Sequence, residues 1–251
     1  VNFKNIKFLR TITIQDYNIY ADDIATISIN EHHMTVINTI NAHSYIVAKT
    51  DKRFKKALTE SDILLPDGEG IVFMASKIKK ENINKIAGAD IHEHLLNIAE
   101  QKKLKCFYLG SSQTTLQLIK EKLENHYKNI RFGFFSPPFK TEFTDFDNRQ
   151  MISKVNAFQP DVLFVGMTAP KQEKWVFENK KKIKSGVICS IGAVFDFIAE
   201  TKKRAPNLVI KLKMEWLYRS FTAWRLTKRY LYSTPLFLWE VIKQKYFSKS
   251  E

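Results

Sequence analysis

Cysteine is almost missing from this chain. There are two in 251 residues, Cys106 and Cys189. Each lies inside an apolar run, LKCFYLG or GVICSIGA, which excludes a disulfide-stapled secreted scaffold and predicts two buried free thiols. Glycine and proline are also sparse, at eight and seven, which excludes collagen-like and low-complexity architectures. No apolar run reaches the roughly 18–20 residues that cross a bilayer. The opening VNFKNIKFLRTITI has no continuous apolar core of a secretory leader. The expectation is a cytoplasmic protein. Acidic residues are outnumbered, 26 against 40 Lys and Arg, for a net charge of +14. With 44% hydrophobic residues, the chain can build one large domain or a domain plus an appendage.

The positive charge is concentrated at the end. Residues 201–251 hold twelve Lys or Arg against three acidic residues, together with ten aromatics that include Trp216, Trp224 and Trp239. Such a segment suits an anionic partner (membrane surface, nucleic acid or phosphorylated ligand) or forms a solvated basic face. The change in composition divides the chain into residues 1–200 and an appendage, residues 201–251. Ile210, Met214, Leu217, Phe221 and Trp224 recur at four- and three-residue steps, predicting a helix packed through one face. Pro235 is expected to end that helix, leaving LFLWEVIKQKYF as a separate short piece.

Upstream, strand-like and helical patterns alternate. Strands are expected at 34–40, 62–66, 104–110, 130–135, 161–167 and 186–193. Helices are expected at 44–61, 70–78, 91–103, 111–128, 146–160 and 169–183. This alternation predicts βαβ units and an α/β, Rossmann-like fold, its mainly parallel sheet covered by helices on both faces. In such a sheet, ligands bind beyond the carboxyl ends of the strands. The loops placed there are 41–43, 67–68, 110–112, 166–172 and 192–196.

These loops carry the candidate residues. In ILLPDGEGIVF, Asp67 is either a turn former or a carboxylate displayed for chemistry. In LGSSQTT, Gly110 permits a tight turn, and Ser111 or Ser112 caps a helix whose N-terminus also suits a diphosphate. Neither GxGxxG nor a Walker pattern is present. In VGMTAPKQEKW, Gln172 can present its amide to a sugar or base, while Glu173 can stabilise a helix start. Asp196, after Gly192, can hold a ribose or base, or cap a helix. Arg219, Arg225 and Arg229 are suited to phosphate. No histidine spacing matches a zinc site and no GxSxG elbow occurs, so no metal site is expected.

Taken in order, TINAHS, LLPDGEGIVF, IAGAD, YLGSS, FVGMTAPKQEKW, IGAVFDFIA, RAP, MEWLYR and WRLTKRY resemble the WecG/TagA/CpsF family of bacterial glycosyltransferases over about residues 20 to 235. The resemblance implies a Rossmann-like catalytic domain with a membrane-associating helical appendage. It implies inverting transfer of an N-acetylmannosamine-type sugar from a UDP donor to a sugar on undecaprenyl diphosphate, for cell-surface polysaccharide or teichoic acid, without a metal or other cofactor. Asp67 matches the proposed general base, and Thr39 and Asn41 match the Thr-x-Asn pair of the active site. Gly68, Lys85, Gly110, Ser111, Gln172, Gly192 and Asp196 fall on the donor side. Arg204, Arg219, Arg225 and Arg229 match arginines that engage the lipid diphosphate. Lys85 replaces a frequent arginine, keeping the charge but losing the bidentate fork. Lys213-Met214 and Thr222-Ala223 also depart from the pattern. The implied location is the inner face of the cell membrane, with self-association open. Other readings are another UDP-hexose (glucose, galactose or the uronate of ManNAc) on this scaffold, or a basic nucleic-acid-binding module, disfavoured because the tail's aromatics follow a packing stripe.

Overall fold

A computed structural model describes residues 9–29, 33–201 and 224–247. Its centre is an eight-stranded sheet in the order β1-β2-β4-β3-β8-β7-β5-β6. The strands are β1 (Thr11–Ile14), β2 (Tyr17–Tyr20), β3 (Thr35–Ile40), β4 (Ile63–Pro66), β5 (Lys105–Gly110), β6 (Arg131–Phe135), β7 (Val162–Gly166) and β8 (Val187–Ser190). All pairings are parallel except β1 with β2. The helices are α1 (Ala42–Thr50), α2 (Lys52–Thr59), α3 (Glu69–Lys79), α4 (Gly88–Lys102), α5 (Gln113–His126), α6 (Asp145–Phe158), α7 (Lys171–Asn179), α8 (Val194–Ile198) and α9 (Trp224–Phe247).

The inner strands are apolar throughout, as a sheet covered twice requires; every residue of β4, β7 and β8 is buried. One face carries α4, α5 and α8 over Tyr108, Phe164 and Phe195. The other carries α1, α2, α3 and α9 over Ile40 and Leu64, and α6 and α7 over Leu163 and Val165. From β3 the chain steps to β4 on one side, and from β5 to β6 on the other. The sheet is therefore doubly wound, with its switch region over β3, β8, β7 and β5. Cys106 and Cys189 are buried free thiols, and burial raises both above the ordinary thiol range.

Three elements differ from the sequence reading. The helix expected over 44–61 is two helices. Asp51 is extended, its N–H closes α1 on Val47, and its carboxylate accepts the Phe54 N–H that opens α2. Burial pushes that carboxyl up, but Lys174 and the Phe54 N–H outweigh it and hold Asp51 below its ordinary value. The β1–β2 hairpin is not among the strands the sequence suggests, because its turn at Gln15-Asp16 lacks the usual Asn-Gly signal; Gln15 itself takes the left-handed φ of +51°. Finally, Pro235 does not end the last helix but lies inside α9. The hydrogen bond it deletes would have reached the carbonyl of Leu231. Leu231 is exposed, so water can satisfy that group, while Ser233, Phe237 and Val241 keep the opposite side packed. The expected stripe at Ile210, Met214, Leu217 and Phe221 lies outside the described residues.

His92 shows how the core sets a pH limit. Its ring is buried beside Phe164, with Nε2 2.7 Å from the Tyr108 hydroxyl. Burial lowers its pKa to about 3. Between that value and the unfolded value near 6.5, only the unfolded chain takes up the proton, so acid favours unfolding. We expect stability to fall by roughly 1.4 kcal/mol per pH unit below about pH 6.5 from this group. Urea titrations at pH 7 and pH 5 on the parent and on His92→Gln measure it, and the increment should vanish in the variant.

Candidate active site at the carboxyl edge of the sheet

The candidate residues of β3 and β4 come together. These strands run in register, Thr39 opposite Leu65 and Ile40 opposite Pro66. The Asp67 N–H donates to the Ile40 carbonyl at 2.9 Å, which carries the ladder one residue past β4. Asn41 and Asp67 therefore emerge side by side, about 4.8 Å apart along the sheet edge. Both are half-buried, as is Thr39. Asn41 begins α1 in a capping box, its side chain accepting the Ser44 N–H at 3.0 Å and its own N–H donating to Ser44 Oγ at 2.7 Å. This fixes its rotamer. Gly68 begins α3 with a φ of +101°. That conformation lets the chain turn sharply just after Asp67. Lys85 is half-buried and held near the same corner, because the next residue, Ile86, donates its N–H to the Pro66 carbonyl at 3.0 Å. Glu69 is half-buried in the first turn of α3.

The donor-side candidates cluster further along the same edge, over β8, β7 and β5. Gly110 and Gly166 are paired at the ends of β5 and β7. A Cβ on Gly110 would stand 2.4 Å from the Gly166 carbonyl oxygen, and one on Gly166 would strike the Phe195 ring at 2.5 Å. Ser111 follows with a φ of +61°, and its carbonyl accepts the Ser136 hydroxyl at 2.8 Å. Ser112, not Ser111, caps α5, accepting the Thr115 N–H at 3.1 Å. Gln172 points inward. It is buried, accepts the Met167 N–H at 3.2 Å and donates to Glu173 at 2.8 Å. A Cβ on Gly192 would lie 3.2 Å from Gln172 Oε1, so this amide joins the ends of β7 and β8. Asp196 does not cap a helix; it is half-buried in the first turn of α8, which Ala193 begins.

The two clusters lie along one continuous edge. Strands β4, β3, β8, β7 and β5 are consecutive neighbours, and four strand gaps span roughly 19 Å. The N-termini of α1, α3, α5 and α7 open onto this edge, directly after their strands. α4 joins them: a Cβ on Gly88 would lie 3.2 Å from Val194 and 3.6 Å from the Ile191 carbonyl, so α4 starts against the end of β8. Their aligned dipoles and free N–H groups favour an anion along the edge. The sequence contained IAGAD but not this use of it, because close approach to α8 is a tertiary fact. Arg204 and Arg219 lie outside the described residues. Arg225 and Arg229 fall on α9. Among the described residues, no group of three or more His, Cys, Asp or Glu is placed to hold a metal ion.

A doubly wound sheet with polar residues gathered beyond the carboxyl ends of its strands defines a ligand-binding α/β protein, and the fold alone names no reaction. The chain belongs to the glycosyl transferase WecG/TagA/CpsF family, whose model matches residues 8–251. It is also similar to N-acetylglucosaminyldiphosphoundecaprenol N-acetyl-β-D-mannosaminyltransferases of Staphylococcus aureus strains NCTC 8325 / PS 47 and COL. Each is 29% identical over 209 residues, covering 83% of this chain and 80% of the relative. The strain MRSA252 protein gives the same figures. The chain is thus a glycosyltransferase, and the enzyme reading prevails over a nucleic-acid-binding module.

Proposed function

We propose that this enzyme transfers N-acetylmannosamine from a UDP donor to N-acetylglucosamine on a polyprenyl diphosphate, with inversion at the anomeric carbon. The sugar and acceptor are those named for the Staphylococcus aureus relatives. The observation that carries the mechanism is the placement of half-buried Asp67 beside Asn41, next to converging helix N-termini. Asp67 takes the proton of an acceptor hydroxyl as that oxygen bonds to the anomeric carbon, and the bond to the UDP oxygen breaks. The departing diphosphate is met by backbone N–H groups at the helix starts and by Lys85, without a metal. Arginines of residues 201–251 (Arg204, Arg219, Arg225 and Arg229) engage the acceptor's diphosphate.

A lipid-linked acceptor calls for a membrane surface. α9 supports that placement: Leu231, Leu238, Trp239, Ile242 and Tyr246 are all exposed on it, beside Lys243 and Lys245. Exposed Phe73 of α3 has Lys77 over its ring. Among the described residues no helix is long and apolar enough to cross a membrane, so α9 would lie along the surface. Without lipid, the same apolar face would promote self-association. The test is UDP release across a donor panel (UDP-ManNAc, its uronate, UDP-glucose and UDP-galactose) with a short-chain prenyl-diphosphate-GlcNAc acceptor. UDP-ManNAc should give the highest kcat/KM; a preference for another hexose overturns the sugar assignment.

A further inference from the structure

α9 also covers the seam between the two helices that start at the catalytic corner. α1 and α3 touch closely, since a Cβ on Gly70 would stand 3.1 Å from Ala42 Cβ. The Phe237 ring lies over that contact, 3.4 Å from the same position, and is itself buried. At the far end of the interface, Gln244 Nε2 donates to the Tyr45 hydroxyl at 2.7 Å, and Lys49 pairs with Glu240. At the near end, His43 Nδ1 lies 3.2 Å from the hydroxyl of Ser233, which is 1% exposed. His43 is the second residue of α1, two positions after Asn41. Lys49 lies in the last turn of α1 and Tyr45 closes its first turn, whereas His43 lies within that first turn, nearest to Asn41.

We propose that His43 is a positioning residue: through Ser233 it ties α9 to the first turn of α1 and so holds the start of that helix, with the Asn41 side chain that caps it, against the corner where Asp67 emerges. This rests on the reading of Asp67 as the base. The physical reason is leverage. A first turn lacks the intrahelical bonds on its own N–H groups that the later turns have. Its position is therefore sensitive to any outside tether, and reacting groups misplaced by about 1 Å can lose up to 10²-fold in rate. Gly70 belongs to the same device, because the absence of a Cβ lets α1 and α3 approach under Phe237.

The test uses the full chain with UDP-ManNAc and the short-chain prenyl-diphosphate-GlcNAc acceptor. His43→Ala should lower kcat by roughly tenfold to a hundredfold, with donor KM within about twofold and the melting temperature nearly unchanged. Ser233→Ala should do the same, and the double variant should be no worse than either single one, the sign of a shared contact. His43→Asn, which offers a polar atom near the place of Nδ1, should recover most of the loss. Gly70→Ala should lower kcat through the seam while keeping both His43 and Ser233. A His43→Ala kcat within twofold of the parent, or losses that add in the double variant, overturns the proposal. Asp67→Asn is assayed alongside: near-normal turnover there overturns the base assignment, whereas a dead Asp67→Asn with a normal His43→Ala removes only the role given to His43.

Discussion

Replacing Asp67 with asparagine should lower turnover by roughly three orders of magnitude and leave the fold in place. The carboxylate is lost but the shape is kept. The backbone N–H of residue 67, which extends the ladder to Ile40, is untouched by the change, so β4 and α3 stay where they are. Donor binding should also survive, because asparagine keeps the size of Asp67 and leaves the helix starts along the edge unchanged. The loss should therefore appear in kcat, with donor KM little altered. Steady-state UDP release and isothermal titration of UDP into the variant measure the two quantities. A variant that still turns over within tenfold of the parent would show that the acceptor's proton leaves by another route.

The second large effect is on stability. Gly110→Ala should lose at least about 3 kcal/mol, combining strain at a positive φ with overpacking of a closed core. The residue sits at a φ of +128°, and the added Cβ meets a carbonyl oxygen of β7 at 2.4 Å. The obstacle is backbone, so no rotamer change relieves it. β5 and β7 would have to part at the sheet edge that carries Ser111 and the Gln172 turn. Chemical denaturation reports the loss, and donor KM should rise with it. Gly68→Ala makes an instructive contrast. It also has a positive φ, but its nearest neighbour, Asn41 Cβ, is 4.0 Å away, so only the backbone strain remains and the cost should be smaller.

Much of this edge was legible in the chain. Asn41, Asp67, Gly110, Gly166 and Gly192 punctuate apolar runs, and punctuation marks where a buried strand must end. That is local chemistry, and it placed the strand ends; residues 42–43, 171–172 and 194–196, expected in loops, instead open α1, α7 and α8. What escaped was decided by partners distant in sequence. Gln172 reads as a displayed amide, yet the Met167 N–H and Glu173 hold it inside. Asp51 reads as one more polar residue of a long helix, yet it divides that helix and pairs with Lys174. Pro235 reads as a stop, but burial of Phe237 and Val241 outweighs one missing hydrogen bond. His43 stands in the 41–43 stretch and in TINAHS, but nothing local names its partner, 190 positions away.

The Tyr45 hydroxyl joins Gln15 of the β1–β2 turn to Gln244 near the end of α9. Phe237 and Val241 share a core with Ile12, Ile14 and Tyr17 of that hairpin. During synthesis the first strands therefore emerge long before the side chains that seal them. A nascent chain must hold an unfinished apolar surface until α9 leaves the ribosome. A chain stalled short of Phe237 should accordingly be a target for chaperones and proteases, even with all eight strands already made.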